Sequence, residues 1–113
     1  MKMLPKNTEN SFNGWSNYDT WNFKLWLDNS IASQKIVHNF IIKSIVSSKK
    51  TNDQIHTLRT LLEDYAIENA PELENSFYSD VLNASIRSVN YYQIADAYYY
   101  DYLEEHKNEL KTA

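Results

Sequence analysis

A single glycine in 113 residues, with only two prolines, sets the first limit on what this chain can fold into. Tight β-hairpins draw on Gly, Asn-Gly or Asp-Gly to reach the backbone angles of their turns. The one Asn-Gly pair, Asn13-Gly14, precedes the patterned part of the chain. A sequence poor in both breakers and rich in Ile, Leu, Lys, Glu and Ala points to helices joined by Asn- and Ser-bearing turns. The expected fold class is all-α, a compact bundle of about five helices. One domain is expected over residues 14–113, preceded by a flexible polar arm at residues 1–13.

Each helix has its own start and stop signals. Ser16, Asn17 and Asp19 offer N-caps for a first helix that ends near Asp28-Asn29. Tyr18, Trp21 and Leu25 share one helical spacing, and Trp15, Asn22 and Trp26 another. Phe23 and Leu27 point elsewhere, so the helix is apolar over most of its circumference and is expected at the centre of the fold. Ser30 caps a second helix over about 31–47, with Ile36, Val37, Phe40, Ile41 and Ile45 on a broad face. The run "FIIKSIV" has the β-branched character of a strand, but it lacks alternation and a partner run. A third helix opens at Thr51 to Asp53 and runs to about Asn69, with a stripe of Ile55, Leu58, Leu62, Tyr65 and Ala66 before Pro71. The fourth, about 77–89, carries Tyr78, Val81, Leu82, Ser85, Ile86 and Val89 on one face. Asn90 with Gln93 reads as a cap and capping-box Gln for a last helix from 91 to about 109. There Tyr91, Ile94, Ala95, Tyr98 and Tyr102 share one side, flanked by Tyr92, Tyr99 and Leu103.

The stretch "GWSNYDTWNFKLWLDNS" places three tryptophans within twelve positions. A stacking platform for nucleobases needs rings on one exposed face beside Lys or Arg. Trp21 and Trp26 are five residues apart and fall on different flanks, with Lys24 as the nearest base. The favoured reading makes Trp15, Tyr18, Trp21, Leu25 and Trp26 structural core, with the Asn and Asp side chains capping helix ends or bonding indole N–H groups. The other reading leaves a tryptophan exposed for a partner.

Charge divides the chain. Residues 1–60 hold eight Lys/Arg and four Asp/Glu, whereas residues 61–105 hold ten Asp/Glu and one basic residue, Arg87. The rear helices are therefore expected to carry an acidic surface with tyrosine hydroxyls. It reads either as a solvated face or as a surface that repels nucleic acid and attracts basic grooves. The residues of that binding face are Glu63, Asp64, Glu68, Tyr92, Asp96, Tyr99, Tyr100, Asp101, Glu104 and Glu105. Six tyrosines between 91 and 102 cannot all face one core, and exposed tyrosine is a favoured interface residue.

Catalytic and metal signatures are sparse. With no cysteine, thiolate sites and disulfides are excluded, and a reducing cytoplasmic setting is the natural expectation. His38, His56 and His106 are scattered, and the pair Asp53 and His56 supplies only two ligands. One glycine cannot build a phosphate loop, no nucleophile elbow occurs, and Glu63-Asp64 and Glu104-Glu105 are adjacent rather than convergent. The expectation is a protein that is not an enzyme, with no metal, no cofactor and no membrane span.

The blocks "SNYDTWNFKLWLDN" and, further on, "LEDYAIENAPELENSFYSDVLNASIRSVNYYQIADAYYYD" resemble a family of small uncharacterised proteins spread among phages, plasmids and other mobile elements. Its members share an N-Y-[DE]-T-W-N-x-x-L-W-[LI]-D-N block and a later short helix leading to an "[IL]-A" helix. The resemblance spans roughly residues 15 to 103, and the front block is the more specific part. It departs after Asn29, where this chain continues "SIASQKIVHNF". The resemblance implies a mobile-element context and no activity. In that context small acidic proteins without catalytic motifs often bind and block host machinery. The expected function is therefore a non-enzymatic protein-binding module. More narrowly, it is an inhibitor of a host nucleic-acid-processing defence complex, of anti-CRISPR or anti-restriction type, that sets its acidic helices in a basic groove. Two alternatives remain: a nucleic-acid-binding accessory protein using Lys35, Lys43, Lys49 and Lys50, and a structural homodimer joined through the Tyr-rich helix.

Overall fold

In a computed structural model that describes residues 12–107, four of five helices open on a side-chain cap that the sequence supplies. Asn17 caps α1 (Tyr18–Asp28), its Oδ1 accepting the Thr20 backbone N–H at 2.8 Å. Ser30 caps α2 (Ile31–Ser47) through the Ser33 N–H. α3 (Thr51–Glu68) starts at Lys50 without a side-chain cap, with Asp53 in its first turn to favour the positive end of the helix dipole. Ser76 and Ser79 exchange side-chain and backbone bonds as a capping box on α4 (Phe77–Ser88). Asn90 caps α5 (Tyr91–Glu105), accepting from the Gln93 N–H at 3.0 Å. Asn69 closes α3 by bonding the Tyr65 carbonyl with both its backbone N–H and its side-chain Nδ2, just ahead of Pro71.

All five expected helices form, and among the described residues there is no strand. The run at 40–46 lies within α2. The centre of the bundle differs from expectation. α3 packs along both α5 and α2, and its Ile55, Leu58 and Leu62 are buried with Val37 and Ile41 of α2 and Ile94, Ala95 and Tyr99 of α5. α1 contributes only Leu27 and Thr20 to the buried interior. Its rings are spread around a helix that lies on the flank, so a wide apolar circumference is not the same as a central place.

Of the five residues expected in the core, Trp15 packs against its edge and Trp21 is half-buried. Tyr18 and Leu25 are exposed, and Trp26 keeps 68% of its surface in solvent. This corrects the core assignment for Tyr18, Leu25 and Trp26. The physical reason is that α1 contacts α2, α4 and α5 only over part of each, leaving the Trp26 flank without a neighbouring helix to cover it.

The arm expected at residues 1–13 falls mostly outside the described residues. Its last two positions do not behave as an arm: Phe12 packs edge-on to Tyr18 with centroids 6.0 Å apart, and its carbonyl accepts the Trp15 N–H at 3.0 Å. Asn13 and Gly14 make that turn in the left-handed region, with φ of 54° and 90°. Asn and Gly are the residues that reach it at least cost.

Two polar devices fix the arrangement. The first is Gln54, buried in α3. Its Nε2 donates to the carbonyls of Ile45 and Ser48 at the end of α2, at 3.0 and 2.7 Å, and its Oε1 accepts the Tyr99 hydroxyl. One amide thereby joins three helices, with both of its N–H donors and one acceptor position used. The second ties the start of α1 to the α4–α5 turn. Thr20, fully buried, donates its hydroxyl to Asn17 Oδ1 at 2.7 Å and accepts the Asn90 backbone N–H at 2.8 Å. Asn17 Nδ2 donates to the Ser88 carbonyl at 2.9 Å. Gln93 does not fold back on its own cap. It accepts the Ser16 backbone N–H at 2.9 Å and donates to the Gly14 carbonyl at 3.0 Å.

Removing one partner from such a buried set leaves the others desolvated without compensation. Thr20→Val, which keeps the shape and deletes the hydroxyl, is expected to lower unfolding free energy by about 1–3 kcal/mol. Urea titration followed by circular dichroism measures it; a change below a few tenths would show that water replaces the bond.

Candidate functional site

The exposed acids and rings sort onto separate faces once the helices are placed. On α5, Tyr92, Asp96, Tyr100 and Glu104 recur every four residues and form an outward row opposite the buried Ile94 and Ala95. Tyr92 and Tyr100 are about half exposed. Glu104 pairs with Lys107 at 3.0 Å on the surface, where such a pair is worth little. Asp101 and Glu105 lie further round the helix and border a different cleft.

Tyr99 was expected on the binding face. It is 3% exposed and spends its hydroxyl on Gln54, so it belongs to the core. A contiguous run of three tyrosines does not tell which ring turns inward; the buried Gln54, an unusual residue for an apolar stripe, was the available signal. On α3, Glu63 is half-buried and paired with Arg59 at 2.8 Å, whereas Asp64 and Glu68 are exposed on another flank. The ten residues thus do not form one surface. The part that stands together is the α5 row.

The cleft bordered by Asp101 and Glu105 also holds Lys24, Asp28, His38, Tyr98, Tyr102 and His106, in about 440 Å³. Asp28 is its pivot. Its Oδ2 pairs with Lys24 Nζ at 2.5 Å, and its Oδ1 accepts the Tyr98 hydroxyl at 2.6 Å. The Lys24 ammonium also lies 4.5 Å from the centroid of the Tyr98 ring and 5.8 Å from that of Trp15. Burial, the bond to Asp28 and the negative charges of Asp28 and Asp101 raise the Tyr98 phenol well above its ordinary range. A phenol held neutral beside a carboxylate that is already shared donates a hydrogen bond and does little else. This cluster joins α1 to α5. His106 stacks on Tyr102 at 4.2 Å. Among the described residues, no group of three or more His, Cys, Asp or Glu is placed to hold a metal, and Asp53 accepts a bond from Ser48. No described helix is long and apolar enough to cross a membrane.

A second cleft, of about 420 Å³, lies between α1, α3 and α4 and is walled mainly by Phe23, Trp26, Tyr65, Leu82, Ile86 and Tyr91. No sequence reading places a site here; the one related signal is a tryptophan left exposed, Trp26. Tyr91 stands edge-on to Phe23 at 5.6 Å and donates its hydroxyl to the Ile86 carbonyl at 2.7 Å. Burial first, and then the charges of Glu63 and Asp19, push its phenol up to about 12. The α4 face expected to pack inward is only partly covered: Leu82, Ser85 and Ile86 are half-buried and Val89 is buried, whereas Tyr78 and Val81 are 72% and 47% exposed. The four lysines of the basic front half, Lys35, Lys43, Lys49 and Lys50, are all exposed.

A family of unknown function, DUF7249, matches residues 8–112, and the chain belongs to it. No curated protein and no solved structure matches the chain.

Two measurements check this geometry. Tyr91 keeps its proton in the folded state from its ordinary value near 10 up to about 12, while the unfolded chain loses it. The folded state then binds more protons, so this contribution is intact below pH 10 and stability falls as pH rises from about 10 to about 12. Tyr91→Phe should flatten that decline in chemical denaturation; an unchanged slope would place the effect on other groups. Trp26→Ala should alter stability by no more than about 0.5 kcal/mol, as for other surface positions. A loss of the about 3–5 kcal/mol typical of a core aromatic would contradict its exposure.

Proposed function

We propose that this protein is a non-enzymatic protein-binding module of a mobile element, working in the host cytoplasm. Its partner is a host protein with a basic nucleic-acid-binding groove, of the kind found in CRISPR or restriction complexes, and its effect is to block that groove. The observation that carries the reading is the α5 row of Tyr92, Asp96, Tyr100 and Glu104: alternating acids and half-exposed rings on a helix whose other side is anchored in the core. A rigid acidic helix gives charge complementarity to a surface built for phosphates. The rings add contact area at low cost in side-chain entropy. The acid-rich stretch from residue 61 to 105 supplies the long-range field that steers such an encounter. The blocks at 16–29 and 62–101 that resemble mobile-element proteins supply the setting.

The test is a pull-down from the native host, with the wild-type chain and with Asp96→Lys, Asp101→Lys, Glu104→Lys and Glu105→Lys combined. Capture of a nucleic-acid enzyme is expected to fall by at least about tenfold on reversal, the loss of little more than one well-placed charge pair. Capture that survives reversal would remove the groove-blocking reading. A gel shift on DNA or RNA that weakens steeply with salt would instead favour the lysine-bearing front half.

A further inference from the structure

Among the described residues, part of the apolar sector of α4 has no helix packed over it. Tyr78, Val81, Leu82, Ser85, Ile86 and Val89 fall in one sector of the helix, as an interior helix requires. Its packing is confined mainly to α1. Towards Val89 the stripe lines the cleft opposite Phe23 and Trp26; towards Tyr78 it lies in solvent, where the Phe77 and Tyr78 rings meet edge-on at 5.5 Å. Trp26, Val81, Phe77 and Tyr78 are all exposed, and Ile67 and Leu73 are exposed on the stretch leading from α3 into α4. Exposed apolar side chains beside a cleft are a mark of interaction surfaces on monomeric proteins. Exposed tryptophan and tyrosine around a pocket are also the residue types that dominate binding energy.

The charges around the cleft say what kind of occupant fits. Its lining contains one charged residue, Asp19. The connection running from its Asn69-Ala70 edge into α4 carries Glu72 and Glu74, both exposed. Glu63 stands near enough to act on the Tyr91 phenol in the wall. A second copy of this chain would set Asp19, Glu72 and Glu74 against their own equivalents, a like-charge arrangement that disfavours self-pairing. The stripe from Tyr78 to Val89 is about 16 Å long at the helical rise, which matches three turns of another helix.

We infer that the α1–α3–α4 cleft and the open face of α4 together form a docking groove for an amphipathic helix of a partner protein, with apolar residues at i, i+3/i+4 and i+7 and flanking Lys or Arg. Helix-in-groove recognition reads just such anchors. The groove is separate from the α5 row, and its use does not depend on nucleic-acid mimicry.

The probe is a synthetic helical peptide with a leucine stripe and lysine flanks, compared with the same peptide carrying glutamate flanks. Both are titrated into the full chain and followed by tryptophan fluorescence and by chemical-shift mapping. The lysine peptide is expected to bind at least about tenfold more tightly than the glutamate peptide. Trp26→Ala and Val81→Asp, each at an exposed position and each checked for an unchanged circular dichroism spectrum, should weaken it by about tenfold or more. Equal affinity for the two peptides, or affinity indifferent to both substitutions, overturns the inference. So does affinity lost on reversing Asp96 and Glu104, which would place the peptide on the α5 row. A dimer seen by light scattering and dissolved by Val81→Asp overturns it as well, because the groove would then be filled by a second copy. Failure of host capture through α5 leaves these outcomes unaffected, so the two proposals stand or fall separately.

Discussion

The start of α1 and the turn between α4 and α5 are joined by a set of directional hydrogen bonds, and the positions of the two outer helices follow from that. Thr20 supplies the acceptor for Asn90, Asn17 reaches Ser88, and Gln93 gathers Ser16 and the Gly14 carbonyl. Hydrogen bonds are directional, so they fix orientation where a few apolar contacts would permit sliding. α1 can then lie on the flank of the α3–α5 core with one helix face committed and another free. The same junction holds the end of α4, which lets the rest of that helix extend beside α1 without a third helix over it.

This division of labour separates stability from surface. The interior is carried by α2, α3 and α5 around Leu58, Leu62 and Ile94, with Gln54 and Tyr99 fixing the register of the three helices. Among the described residues no buried side-chain polar atom lacks a partner. Polar residues inside a small core tend to specify one arrangement when they are fully bonded. The outer helices are released from that duty. The exposed rings and acids fall into two separate surfaces, the outward row of α5 and an α1–α4 groove.

The helices themselves were legible because each carries its own local signal. Ser30 and Asn90 stand where caps were expected, and Pro71 follows a closed helix end. Periodicity also picked out most of α3's buried stripe. It failed where two solutions share one pattern. α1 and α4 both show apolar sectors fit for an interior, yet whether a sector is covered depends on which helices reach it, and no local rule encodes that. Tyr98, Tyr99 and Tyr100 illustrate the point at single-residue scale: one shares Asp28 with Lys24, one bonds a buried amide, one is half in water. Gln93 had the right spacing for a capping box, but Gly14 and Ser16 offered it partners from another part of the chain.

The bonds that Gln93 makes to Gly14 and Ser16 span 79 and 77 residues, whereas Gln54 reaches the end of α2 across 6 and 9. Closing the long span costs chain entropy that only an already collapsed middle segment can recoup. Assembly would thus run outward from the α2–α3 hairpin, with the two ends of the sequence meeting late. Contacts that form after the rate-limiting barrier govern how fast a protein comes apart rather than how fast it forms. The α1 junction would then act as the molecule's latch, setting the lifetime of the native state.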